Sequence, residues 1–283
     1  MPLFRAAIQG PRGLLAPVAL VVSALLAGCA TPAPPPVTAT GRDITAALAP
    51  TGRLRASINL GNPVLAGRDS ATGALQGVSI DLAQELGRRL GVPVDLVAVD
   101  SAGKSVEVVS SGQADVGFFA VDPVRGKGVS FTAPYVVIEG AYLVRADSPV
   151  TDNSQVDRAG VSIVVGKGSA YDLFLTREIK QARLERAPTS PKVVDEFMAR
   201  KLDVAAGVRQ QLEADAKRLP GLRVLPGRFM VIEQAMGVPA NRDPVARRTV
   251  QGFVEDMKRS GFVEDALRRH AVKGAAVAPL AQP

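Results

Sequence analysis

Cysteine and histidine each occur once in the 283 residues, as Cys29 and His270, and tryptophan is absent. A single cysteine excludes an intramolecular disulfide framework, and one Cys with one His cannot supply the usual zinc ligand sets. No metal and no other cofactor is therefore expected, although an oxygen-ligand site is not formally excluded. Aromatic residues make up only 4% of the chain. Lys and Arg outnumber Asp and Glu by 34 to 27, a formal charge of +7, yet the excess is scattered and forms no basic block interleaved with aromatics. Nucleic acid is not an expected partner. What the chain does have is apolar mass: 47% hydrophobic against 22% charged residues describes a globular body of one large or two ordinary domains.

Residues 1–28 hold Arg5 and Arg12, no acid, and an apolar run from Leu14 to Leu26. That run fits a signal-peptide core of ~7–15 residues and falls short of the ~18 needed to begin spanning a membrane. It ends in Leu26-Ala27-Gly28-Cys29, and small residues directly before a cysteine resemble the bacterial lipobox. The resemblance implies cleavage after residue 28, lipid on Cys29 and a membrane-anchored protein in the periplasm or cell envelope. Thr31 to Thr40, rich in proline and without large apolar residues, reads as part of an extended tether over 29–50.

From Arg53 onward, short β-rich runs alternate with segments of helical period, the pattern of an α/β protein with largely parallel strands. Strands are expected at 53–60, 92–99, 115–119, 161–165, 183–187, 202–206 and 223–225. Helices are expected from Ser79 to the stop at Gly91, at 104–111, from Ser169, at 193–200 and 209–218, and near the end at 244–259 and 262–271. Two longer apolar runs, 136–144 and 229–238, are suited to cross between domains. The Gly- and Ala-rich end reads as a disordered tail, 273–283.

Four stretches then carry a family resemblance: GALQGVSIDLAQELGRRLGV (73–92), SGQADVGFFAVDPVRGKGVSFTAPY (111–135), VVGKGSAYDLF (164–174) and RKLDVAAGV (200–208). In this order and spacing the chain resembles the family 3 extracellular solute-binding proteins, the periplasmic amino-acid-binding proteins of ABC importers. The resemblance implies a two-lobe periplasmic-binding-protein fold of type II with two hinge strands. Lobe 1 would take 51–140 and 233–272, lobe 2 would take 141–232, and a solute would close between them.

The residues themselves point to the same place. Asp122-Pro123-Val124-Arg125 follows a strand, and Asp as N-cap with Pro next in line starts a helix that sets Arg125 at the carboxyl end of the sheet. An arginine there can hold a carboxylate through two parallel hydrogen bonds; the competing reading is a surface pair with Asp122. Gly168, Ser169 and Ala170 join a strand to a helix, where backbone amides are free to face an anion, and Ser169 is equally a helix cap. The family places its carboxylate arginine and its second anion contact at these positions. The loop is no Walker phosphate loop, since Val161 and Gly168 stand where Gly and Ser or Thr are needed. Phe118, Ala120, Lys104 and Tyr171 complete the expected ligand surface; Phe118 and Tyr171 are as readily core residues, and Lys104 as readily a solvated one. Asp81, Asp115 and Asp203 read as structural.

Three departures stand out against the resemblance. The family's aromatic wall, hydroxyl and ammonium-binding acid fall on Ala102, Ala120 and Val208. Either the solute is a carboxylate without a free α-ammonium, or the acid comes from Asp172, Glu139 or Glu233. The expected function is capture of a small carboxylated solute, an amino acid or related organic acid, for an ABC importer, without catalysis. Two alternatives use the same fold: an arogenate or prephenate dehydratase-like enzyme, and a ligand sensor for a membrane receptor. His270, in the last helix, is distant in sequence from every one of these motifs, which weighs against the enzyme.

Overall fold

The computed structural model describes residues 41–282; the leader, Cys29 and the first part of the tether lie outside the described residues. Strands are β1 (Leu54–Asn59), β2 (Gly67–Arg68), β3 (Leu75–Gln76), β4 (Val94–Val99), β5 (Val116–Ala120), β6 (Val129–Arg145), β7 (Ser162–Gly166), β8 (Arg183–Ala187), β9 (Val204–Val208), β10 (Leu222–Val224), β11 (Met230–Pro239) and β12 (Ala276–Val277). Helices are α1 (Gly41–Leu48), α2 (Val78–Leu90), α3 (Ala102–Ser110), α4 (Ala170–Glu178), α5 (Val193–Ala199), α6 (Arg209–Arg218), α7 (Pro244–Arg259) and α8 (Phe262–Arg269).

Among the described residues the sheet runs β4-β1-β5-β11-β6-β9-β7-β8. The outer strands pair in parallel, β1 with β4 and β5, and β7 with β8 and β9. Between these halves lie β6 and β11, antiparallel from Met230↔Gly140 to Pro239↔Val129. The first part of β6 faces β11 in the first half, while Gly140 to Leu143 pair with β9 of the second. The two apolar runs thus become the two strands that carry the chain between halves.

Burial follows the same division. In the first half Leu54, Ile58, Leu82, Leu86, Phe253 and Leu267 share one core. In the second, strand alternation sends Val164 to one face with Phe197 and Leu212, and Ile163 and Val165 to the other with Leu175. The helix α2 ends where the sequence places its stop, at Gly91 in the left-handed region with φ 69.

Each half locks its first strand with an aspartate. The Arg55 N–H donates to Asp115, just before β5, and the Ser162 N–H donates to Asp203, just before β9. Asp115 also accepts from the side chains of Arg55 and Arg242 and is fully buried. Asp81 accepts from Arg269 and His270, tying α2 to α8, and this is where the lone histidine is used.

Two expectations are corrected. Residues 41–48 of the expected tether form α1, whose Leu48 is buried in the first core because it is long and apolar enough to dock. The expected disordered tail is ordered through residue 282: β12 pairs with Val136 and Val137 of β6, and Lys258 donates to the Pro279 carbonyl at 2.8 Å. An open sheet edge with unpaired backbone groups supplies the order that the tail's composition does not.

Candidate functional site

Strand β5 ends at Ala120, and the chain turns at once through Asp122. Asp122 is buried and its Oδ1 accepts from the Val124 N–H at 2.8 Å, so the capping role holds. What it caps is a single 3₁₀ turn, Arg125–Lys127, and no longer helix. That turn points Arg125 back over the end of the sheet, with only 5% of the residue exposed.

The guanidinium of Arg125 spans the two halves. Nη1 donates to the Ala120 carbonyl at 3.0 Å and Nη2 to the Gly168 carbonyl at 2.9 Å. No carboxylate pairs with it among the described residues. Asp122, the acid next to it in sequence, pairs instead with Arg177 of α4 at 3.0 Å. Burial lowers the Arg125 pKa to about 10, opposed by the negative charge of Asp122, so the side chain stays a cation at neutral pH. Two carbonyl dipoles are poor compensation for a buried cation, and an entering anion would relieve it.

On the facing side, β7 ends at Gly166 and the loop enters α4. Gly168, at φ 70, turns its carbonyl to Arg125 and its N–H to Asp172 Oδ2 at 2.8 Å. The Ser169 N–H donates to Gly166, and Ser169 Oγ caps α4 by accepting from the Asp172 N–H at 3.0 Å. Two of the three amides expected to face an anion are therefore used inside the loop, because Asp172 folds back on its own N-terminal turn and is held there by Arg186. Ala170 is the first helical residue, and its N–H has no acceptor within the helix.

Between the halves lies a cavity of ≈ 40 Å³. Six of the expected ligand residues meet there: Phe118, Ala120, Arg125, Ser169, Ala170 and Tyr171. Gly168 touches the site through Arg125 alone. Lys104 does not reach it; its ammonium pairs with Asp100 at 2.9 Å, and both are largely exposed. Phe118 also packs edge-on against Tyr135, with ring centroids 6.1 Å apart. Burial pushes the Tyr171 phenol up to about 12, against the hydroxyls of Ser190 and Ser169, so it stays neutral. Ala102 and Val208 also line the cavity, which places all three small or apolar departures on its wall.

The sequence reading missed Asn59, Asn62, Ser190, Ile232 and Gln234, which complete the lining. Asn59 and Asn62 follow β1 at the carboxyl end of a parallel strand, the place where open α/β sheets bind ligands, and could have been found on that ground. Gln234 is the buried polar residue of an otherwise apolar stretch in β11. Of the acids held in reserve, Glu139 pairs with Arg209 and Arg228, and Glu233 is exposed. None of Asp172, Glu139 and Glu233 lines the cavity.

The family model for bacterial extracellular solute-binding proteins, family 3, matches residues 61–272. The chain belongs to this family. Its fold matches the solute receptor for L-cysteine of Neisseria gonorrhoeae at a TM-score of 0.70 and 25% identity, covering 81% of this chain and 94% of that one. An amino acid ABC transporter substrate-binding protein from Streptococcus pneumoniae bound to L-arginine gives 0.68 at 20% identity, over 83% and 99%. An ancestral amino-acid-binding protein, a precursor of cyclohexadienyl dehydratase, gives 0.65 at 20%, over 78% and 96%. No curated protein matches the sequence significantly. The architecture is the two-lobe, type II periplasmic-binding-protein fold, with β6 and β11 as its hinge strands. Among the described residues no helix is long and apolar enough to cross a membrane, and no group of His, Cys, Asp and Glu is arranged to hold a metal ion.

Proposed function

We propose that this protein captures a small carboxylated solute between its lobes and delivers it to an ABC importer while tethered to the membrane through lipid on Cys29. Lobe 1, 51–140 with 233–272, and lobe 2, 141–232, would swing about the hinge strands. The observation that carries the reading is Arg125: a buried cation at the mouth of both lobes, without a carboxylate partner, bordering a cavity. A solute carboxylate touching Arg125 and the first amides of α4 would bind both lobes at once and so favour closure. Ser169, Ala170 and Tyr171 would contribute from lobe 2, with Phe118 and Ala120 from lobe 1.

Binding is favoured over catalysis by the cavity wall itself. It presents no Asp, Glu, His, Lys or Cys to move a proton, and His270 is engaged with Asp81 away from it. A thermal-shift screen of small carboxylates tests the reading. Arg125→Ala should abolish the stabilisation by the best hit; unchanged binding would refute the carboxylate assignment. Loss of uptake of that hit in a deletion strain would assign the importer over a receptor partner. Mass spectrometry of the mature N-terminus tests the lipid on Cys29.

A further inference from the structure

The cavity is electrically one-sided. Arg125 is its one charged side chain, and the polar groups around it, including Asn59, Asn62, Ser190 and Gln234, are neutral. The acids that could balance an amine are spent: Asp122 on Arg177, Asp172 on Arg186 and the Gly168 N–H, and Glu139 on Arg209 and Arg228. Gln234 is the opposite case. It is 6% exposed, stands on the same strand face as Ile232, and its side-chain amide has no hydrogen-bond partner among the described residues. A buried amide left unpaired costs free energy that a ligand group would recover.

Resting on the carboxylate-capture reading above, we infer that the solute lacks a charged amine: it is a small 2-hydroxy or 2-oxo acid whose carboxylate meets Arg125 and whose neutral oxygen meets Gln234. An α-ammonium in this cavity would be desolvated beside a guanidinium, with Val208 and Ala120 on the wall and no carboxylate to receive it. A hydroxyl or carbonyl carries neither penalty, and the Gln234 amide can donate to it or accept from it. The small volume, ≈ 40 Å³, suits a compact acid.

Isothermal titration of the purified full chain with matched pairs tests this: L-lactate and pyruvate against L-alanine, and 2-hydroxyisocaproate and 4-methyl-2-oxopentanoate against L-leucine. In at least one set the amine-free acid should bind tenfold or more tightly than its amino acid, and Arg125→Gln should weaken it at least tenfold. Val208→Asp, which adds an acid to the wall, should invert the preference; the wild-type comparison decides by itself if this variant does not fold. Amino acids that bind as tightly as their partners, still in an Arg125-dependent way, would overturn the inference and leave carboxylate capture standing. Absence of binding in every set, or binding indifferent to Arg125→Gln, would overturn both.

Discussion

The Arg177 guanidinium of α4 reaches across the cleft to the Asp122 carboxylate, 3.0 Å away, and so joins the second half of the sheet to the turn that holds Arg125. Arg177 is 40% exposed while Asp122 is 4% exposed, which makes the pair a rim contact with one buried end. Its Coulomb gain exists only when the lobes are together, so it acts on closure and not on the fold of either half. Arg177→Ala is expected to shift the balance toward the open arrangement by about 0.5–1 kcal/mol. Stopped-flow release of the best-binding carboxylate should then quicken about two- to fivefold, with capture less affected. An unchanged release rate would show that the pair contributes nothing to closure.

Gly168 serves the same junction through its backbone. Its φ of 70 lies in the left-handed region, and a Cβ added there would sit 3.6 Å from Gly103 Cα, an ordinary contact. Space is therefore not the obstacle; backbone conformation is. Gly168→Ala should cost about 1–2 kcal/mol, and Gly168→Asn less, because asparagine tolerates this region. Urea unfolding of the three proteins should give midpoints in the order Gly, Asn, Ala. Equal midpoints would mean that the loop relaxes out of this conformation, and the Arg125 contact with the Gly168 carbonyl would then be dispensable.

Local chemistry in the sequence located Arg125, the Asp122 cap, the Gly91 helix stop and the two long strands, since each depends on neighbours within a few residues. Pairings across the cleft were not legible. Nothing near Asp122 in sequence announces Arg177, and the surface pair expected for Arg125 with Asp122 gave way to it. Lys104 could have been placed from spacing alone, because Asp100 lies four residues earlier and both flank the α3 cap at Ser101. The use of the Gly168 amide was hidden for another reason: Asp172 was weighed as a ligand group, whereas a carboxylate in the first turn of a helix most readily accepts from the loop before it. The ordered tail depends on the open edge of β6, which exists only once the sheet is assembled.

Glu85 gives a prediction in pH. Its carboxyl is lowered from the ordinary 4.5 to about 2, chiefly by the hydrogen bond from Arg88 and then by Arg89, against the opposing effect of burial. A folded-state pKa below the unfolded one means that the unfolded chain takes up the proton first as pH falls. The stabilisation is thus complete above about pH 4.5 and disappears as pH drops through about 2. Arg88 is 71% exposed, so solvent screening keeps the effect small. Glu85→Gln should melt about 1–3 °C below wild type at pH 7, with the gap closing toward pH 2. A gap that does not change with pH would assign the effect to packing instead of charge.

Asp115 and Asp203 hold equivalent places before β5 and β9, yet they should respond very differently to the same substitution. Asp115 is fully buried and receives the Arg55 N–H, the Arg55 guanidinium and Arg242 Nη2 at 2.8 Å. Removing it strands two largely buried cations and a backbone donor. Asp203 is exposed and receives only the N–H and hydroxyl of Ser162, neutral groups that are partly within reach of water. Asp115→Ala should therefore cost about 3–5 kcal/mol, and Asp203→Ala about 1 kcal/mol. Urea denaturation separates the two. The Asp115→Ala loss should be largely recovered when Arg55 and Arg242 are also replaced by Met, since the penalty lies in the unpaired charges. Similar losses for both aspartates would mean that the shared backbone contact, and not the buried ion cluster, is what fixes the first strand in each lobe.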